Sequence, residues 1–181
     1  VYTALGKLYC KQREYPKALD WFNRALGFSQ DQPDGQLDYF TQERLLAEIA
    51  EVHRLSGDTL VARQYYKQAC EMQEKLGDWV GLAITYGGIG DLFVEAGDLI
   101  QAQPYCEQAY KYQQLVGDLN RFWRTCFSLT KIYLNKDNCE SADHYWSDAR
   151  LVLLHEEVFS SLPGKKRAEI EQAVRKFINF Y

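Results

Sequence analysis

The sequence predicts an all-α solenoid of antiparallel helix pairs, closed by a C-terminal capping helix. Three observations carry that prediction. Pairs of alanines seven residues apart recur at Ala18 and Ala25, Ala62 and Ala69, Ala102 and Ala109, and Ala142 and Ala149, so that successive pairs are offset by 44, 40 and 40 residues. Gly-Asp dipeptides at 57–58, 77–78, 97–98 and 117–118 punctuate the chain every 20 residues. Between them, apolar residues follow the 3.6-residue period of a helix. Self-similarity at such a period marks a repeat architecture, in which each unit buries its apolar face only against its neighbours.

The first unit occupies about residues 1–28. Its first helix carries Leu5-Gly6 and Leu8-Tyr9, and its second places Trp21-Phe22 between Ala18 and Ala25. The 44-residue spacing leaves four extra residues near 29–41, where Asp31, Pro33, Asp34, Gly35 and Asp38 predict an acidic loop. That loop reads as a surface insertion, with a contact loop beside a groove as the alternative. The second unit covers about 42–76, the third 80–116 and the fourth 119–157. In the second, Leu46, Ile49, Ala50 and Val52-His53 follow helical spacing until Ser56-Gly57-Asp58 breaks it. Gly57 suits the left-handed residue just past a helix end, and Asp58 suits the cap of the next helix. The same device returns at the other three Gly-Asp pairs. The alanines are expected where antiparallel helices approach closest, since contacts at 8–10 Å between axes need small side chains. Large rings beside them (Tyr65-Tyr66, Tyr105, Tyr145-Trp146) would fill the space between layers. After Leu162-Pro163-Gly164, the positions Ile170, Ala173-Val174 and Phe177-Ile178 predict a linker and capping helix over 158–181.

Composition narrows the function. The chain has 181 residues, 46% hydrophobic and 25% charged, which is ordinary globular usage and excludes a disordered tail. A net charge of −4 argues against a duplex-binding surface. The longest uncharged stretch, Trp79–Gly90, is too short for the roughly 20 apolar residues of a membrane span. Five cysteines, no CxxC and no Asn-x-Ser/Thr sequon predict buried thiols in a reducing, cytoplasmic compartment. The chain opens at Val1 directly in helix-like sequence, which predicts a piece of a larger protein. No metal site or cofactor is expected: His53, His144 and His155 form no HExxH or zinc-spaced cluster. His53 takes the place of a repeat aromatic and is expected in the core. The run Tyr86-Gly87-Gly88-Ile89-Gly90 lacks the Lys-Ser/Thr of a phosphate loop, and is expected to allow close helix packing or to hollow a groove floor. Trp79, Trp123 and Phe127 fall outside the alanine seams, so they are the aromatics left for binding.

Gly6-x-x-Tyr9 followed by Ala18-x-x-x-Phe22-x-x-Ala25, and Tyr86-x-x-Ile89-Gly90-x-x-Phe93 followed by Ala102 and Ala109, resemble the tetratricopeptide repeat. The 40-residue unit is similar to the longer-helix variety found in spindle-orientation adaptors and kinesin light chains. The resemblance implies a right-handed superhelix whose first helices line a concave groove. It also implies a non-catalytic scaffold that holds a peptide, helix or domain of a protein partner. Matching first helices then assigns the groove to Lys7 in the first unit, Arg44, Glu51 and Arg54 in the second, Ile84, Gly87 and Asp91 in the third, and Arg124, Phe127 and Lys131 in the fourth. Thr3, Cys10, Ala47, Val94 and Leu134 share those faces. Chaperone-binding members place Asn straight after the repeat glycine, whereas this chain has Lys7, Glu51, Asp91 and Lys131 there. A partner segment mixing charged and apolar residues is therefore expected. Arg124 and Phe127 are the expected hot spots. The alternatives are an RNA-binding helical repeat, against which Glu51 and Asp91 argue, and a self-associating structural module.

Overall fold

The computed structural model describes residues 1–30 and 39–153. These form helices α1 (Tyr2–Lys11), α2 (Tyr15–Gln30), α3 (Tyr39–Ser56), α4 (Thr59–Leu76), α5 (Trp79–Glu95), α6 (Leu99–Val116), α7 (Leu119–Leu134) and α8 (Cys139–Leu153). No strand occurs among the described residues. Each helix packs on its neighbours in chain order, and α5 also touches α3 and α7. Odd-numbered helices therefore stack on one another, which is how a solenoid grows unit by unit.

Turn chemistry sets the helix boundaries. Gly57, Gly77, Gly97 and Gly117 have φ of 89°, 66°, 77° and 71°, the left-handed region in which glycine carries no Cβ penalty. Two turns reach the same conformation without glycine. Arg13 and Asp137, at the repeat positions of Gly57 and Gly97, have φ of 62° and 55°. The cap residues divide unevenly. Asp78, Asp98 and Asp118 accept hydrogen bonds from the backbone N–H groups of Gly81, Gln101 and Arg121 at 3.0, 3.1 and 3.2 Å. Asn138 does the same for Ser141 at 3.1 Å. Asp58 does not cap α4 with its side chain, contrary to the expectation from sequence. Its carboxylate lies instead 3.5 Å from His53 Nδ1.

All eight repeat alanines are buried. The repeat glycines keep the same seams tight: a Cβ on Gly6 would stand 2.6 Å from the Phe22 ring, and one on Gly90 would stand 2.7 Å from Cys106 Sγ. Rings pair at one repeat position in the second, third and fourth units, whereas Trp21 of the first unit stacks on Tyr2 at 5.8 Å. His53 stacks on Tyr65 at 5.7 Å, Phe93 on Tyr105 at 5.6 Å and Tyr133 on Tyr145 at 5.4 Å. One ring-packing motif is thus copied from the second unit to the fourth.

Several expectations change. Trp123 is only 8% exposed and packs with Phe122, Cys126, Ala149 and Val152, so it belongs to the core and not to a binding surface. Trp79 stays 52% exposed, stacked on Tyr112 at 5.8 Å. Cys70, Cys106 and Cys126 are buried as expected, but Cys10 is half-buried and Cys139, the first residue of α8, is exposed. Within the segment read as an acidic loop over 29–41, α2 runs through Gln30 and α3 starts at Tyr39. Its acidic residues Asp31, Asp34 and Asp38 lie outside the described residues. So do the end of the fourth unit and the predicted linker and capping helix at 158–181.

Candidate functional site

Helical spacing along the odd-numbered helices brings one set of side chains to a common face. In α3 these are Arg44, Ala47, Glu48 and Glu51, spaced three and four residues apart. In α5 they are Gly81, Ile84, Gly87, Gly88 and Asp91. Together with Lys7 of α1 and Arg121, Arg124 and Thr125 of α7, they frame a cavity of about 270 Å³. Tyr66 and Gln73 of α4 and Gln113 of α6 reach between the odd helices to complete the lining. Gly87 gives way to a neighbour there: a Cβ on it would stand 3.0 Å from Gln113 Nε2.

The acids of this face are engaged internally. Arg54 grips Glu51 with two bonds, Nε to Oε2 at 2.9 Å and Nη2 to Oε1 at 2.7 Å. The Tyr66 hydroxyl donates a third bond to Glu51 Oε2 at 2.7 Å. Burial alone would push the Glu51 carboxyl up, but these donors outweigh it and hold it below the usual carboxylate range. Arg54 also donates through Nη1 to Glu95, tying α3 to α5. Arg124 Nη2 donates to Asp91 Oδ2 at 2.9 Å, and burial still leaves the Asp91 carboxyl raised. Lys7 pairs with Glu48 at 2.6 Å. Arg44 is exposed and makes no hydrogen bond or ion pair among the described residues.

Beneath the cavity, Glu43 has no exposed surface and accepts a hydrogen bond from Gln73 Nε2. Burial, with Asp78 nearby, pushes its carboxyl up to about 7 against the pull of Gln73 and Arg44. Gln113 Nε2 donates to the Ala83 carbonyl at 3.2 Å. Gln73 and Gln113 hold the same repeat position, 40 residues apart, and each carries an Oε1 with no hydrogen-bond partner in the structure.

The sequence-derived positions thus distribute as follows. Lys7, Arg44, Glu51, Ile84, Gly87, Asp91 and Arg124 line the cavity, as does Ala47. Arg54 does not; its side chain is 7% exposed and spent on Glu51 and Glu95. Phe127 is 37% exposed on α7 and Lys131 is exposed beyond it, both outside the cavity lining. The groove set read from sequence missed Glu48, Tyr66, Gln73, Gly81, Gly88, Gln113, Arg121 and Thr125. Glu48 and Arg121 carried a usable signal, lying four residues after Arg44 and three before Arg124. The second-helix residues carried only the 40-residue recurrence of Gln73 and Gln113.

Among the described residues no group of three or more His, Cys, Asp and Glu is placed to hold a metal ion. Burial pushes the Cys70 and Cys106 thiols up to about 12, far from a reactive thiolate. Among the described residues no helix is long and apolar enough to cross a membrane.

Comparison with known proteins agrees with this architecture. Sequence models of the tetratricopeptide repeat match residues 1–35 and 41–114. Over 99 residues the chain is 28% identical to the photosystem I assembly protein Ycf3 of Cyanophora paradoxa, covering 54% of this chain and 53% of that protein. It therefore spans about half the length of that curated relative. Among solved structures, BtubC (BKLC) from P. vanneervenii superposes with a TM-score of 0.72 at 20% identity, covering 90% of this chain and 64% of that one. That likeness is one of fold. Tetratricopeptide repeats generally mediate protein–protein interaction. With eight helices among the described residues packed as adjacent pairs, alanine seams offset by 44, 40 and 40 residues and two matching sequence models, this chain belongs to the tetratricopeptide repeat family.

Proposed function

We propose that the chain is a non-catalytic interaction scaffold, and that the face built by its odd-numbered helices is the concave groove that receives a peptide, helix or domain of a protein partner. The observation that carries this reading is the cavity framed by side chains from all four odd-numbered helices. The even-numbered helices spend their alanines and rings on the seams, so the odd helices hold the adaptable surface. Ile84 and Phe127, both 37% exposed, supply apolar contact, while Arg44, Arg124 and Lys131 supply charge. A partner segment mixing charged and apolar residues matches that lining.

The test compares affinity capture by the intact chain with capture by an Arg124→Ala/Phe127→Ala double variant and by a Lys67→Ala control on α4. The double variant should lose the captured proteins while keeping its circular dichroism and melting profile, and the control should retain them. Unchanged capture by a folded double variant would remove these residues from the interface.

A further inference from the structure

We infer that the cavity selects an acidic segment of a protein partner and seats a glutamate side chain among Arg44, Arg121 and Arg124; this rests on the reading that the odd-helix face binds a partner. The row of mixed charges apparent in the sequence is not what the folded face offers. Its acids are already spoken for: Glu48 by Lys7, Glu51 by Arg54 and Tyr66, and Asp91 by Arg124. Lys7 is spent on Glu48, but the three arginines keep donors to spare. Arg44 has no hydrogen-bond or ion-pair partner among the described residues. Arg124 is 43% exposed and is bonded to Asp91 through a single Nη2, leaving donors on a guanidinium that carries five. Arg121 is engaged only with Asp118, three residues away in an exposed pair of the kind that contributes little.

A cationic partner would have to compete with Arg54 for Glu51 or with Arg124 for Asp91, and in the first case would strand a guanidinium that is only 7% exposed. An anionic partner breaks nothing and meets charge-assisted donors. The cavity has room for one long side chain: its volume of about 270 Å³ falls just under the roughly 300–1,000 Å³ of small-molecule sites. Ile84 offers the stem an apolar wall. A phosphate backbone would supply the same negative charge. Yet Tyr66 is the only ring among the described lining residues, and at 2% exposure it presents no face on which a base could stack.

The experiment uses the whole chain and four labelled probes read by fluorescence anisotropy. Three are amphipathic helical peptides identical except for Glu, Gln or Lys at their polar positions; the fourth is an oligouridine. The Glu peptide should bind about tenfold tighter than the Gln peptide, the ratio a charge-assisted hydrogen bond supplies. Arg44→Gln should remove most of that preference without shifting the melting temperature. Equal binding of the Glu and Gln peptides, or tighter binding of the Lys peptide, overturns the charge selection and leaves the groove reading intact. Tightest binding by oligouridine overturns the choice of a protein partner. Binding of none of the four overturns the groove reading and this inference with it.

Discussion

Glu43 concentrates the residue-scale physics of this fold. It has no exposed surface, its carboxyl is pushed up to about 7, and its hydrogen-bond donor is Gln73. Asp78 adds repulsion from the start of α5, and Arg44 beside it in α3 offsets only part. From about pH 4.5 to 7 the folded chain holds a proton that the unfolded chain has released. Stability therefore falls as pH rises through that window and levels off above it, with a ceiling on the order of 3 kcal/mol at about 1.4 kcal/mol per pH unit. Glu43→Gln removes the titration, and its amide N–H can satisfy the unpaired Oε1 of Gln73. The variant should be more stable than the parent by about 1–3 kcal/mol near pH 8, with the difference vanishing near pH 4. Urea midpoints of both proteins across pH measure it; a difference that does not change with pH would show that Glu43 is ionised in the native state throughout. The sequence gives no hint of this residue. Its repeat position holds Ala83 and Trp123 in the next units, so the pattern predicts nothing polar and buried there.

Elements are the level at which the sequence was most legible, because helix ends are local events. Each Gly-Asp pair marks a turn, and the glycine conformations follow from the absence of a Cβ. Where glycine is missing, at Arg13 and Asp137, the same turn forms anyway, at a cost of roughly 1–2 kcal/mol for a left-handed residue that packing must offset, less for the Asp. What the dipeptide could not reveal was the direction of each aspartate. Three bond forward to the third N–H of the next helix; Asp58 leans back towards His53 because a histidine, not a phenylalanine or tyrosine, occupies that ring position in the second unit. Asp78→Ala, Asp98→Ala and Asp118→Ala should each cost about 1 kcal/mol, and Asp58→Ala a small fraction of that. Chemical denaturation of the four variants at neutral pH makes the comparison. A loss at Asp58 as large as at the other three would mean that it caps α4 in solution.

At the scale of the whole molecule, the face presented by the odd helices could be read from the period, whereas its electrostatics could not. Seven of ten assigned groove positions line the cavity because spacings of three and four residues fix a helix face. Which of them remain available depends on pairs such as Arg54 with Glu95, 41 residues apart, and Arg124 with Asp91, 33 apart. Those pairs exist only once units stack. Arg54 is the clearest case of a residue whose role is set at this scale. Buried to 7% exposure, it holds Glu51 of its own helix and Glu95 of the next unit, while Tyr66 of α4 holds the same Glu51. One guanidinium thereby links α3, α4 and α5, at the junction between the second and third units. In a solenoid, cooperativity is the sum of such nearest-neighbour interfaces, so weakening one interface separates the molecule into halves. Arg54→Met keeps the stem and removes the charge, leaving Glu51, whose side chain is 37% exposed, with only the Tyr66 bond. The loss should be about 1–2 kcal/mol, less than for a fully buried pair, and should shrink as salt rises because Glu51 and Glu95 both reach solvent. Hydrogen exchange in rising denaturant should then show α1–α4 and α5–α8 opening at different concentrations, where the parent opens them together. If the variant still lost protection in all its helices at one concentration, the junction would owe its cooperativity to the alanine and ring seams, and Arg54 would be contributing stability alone.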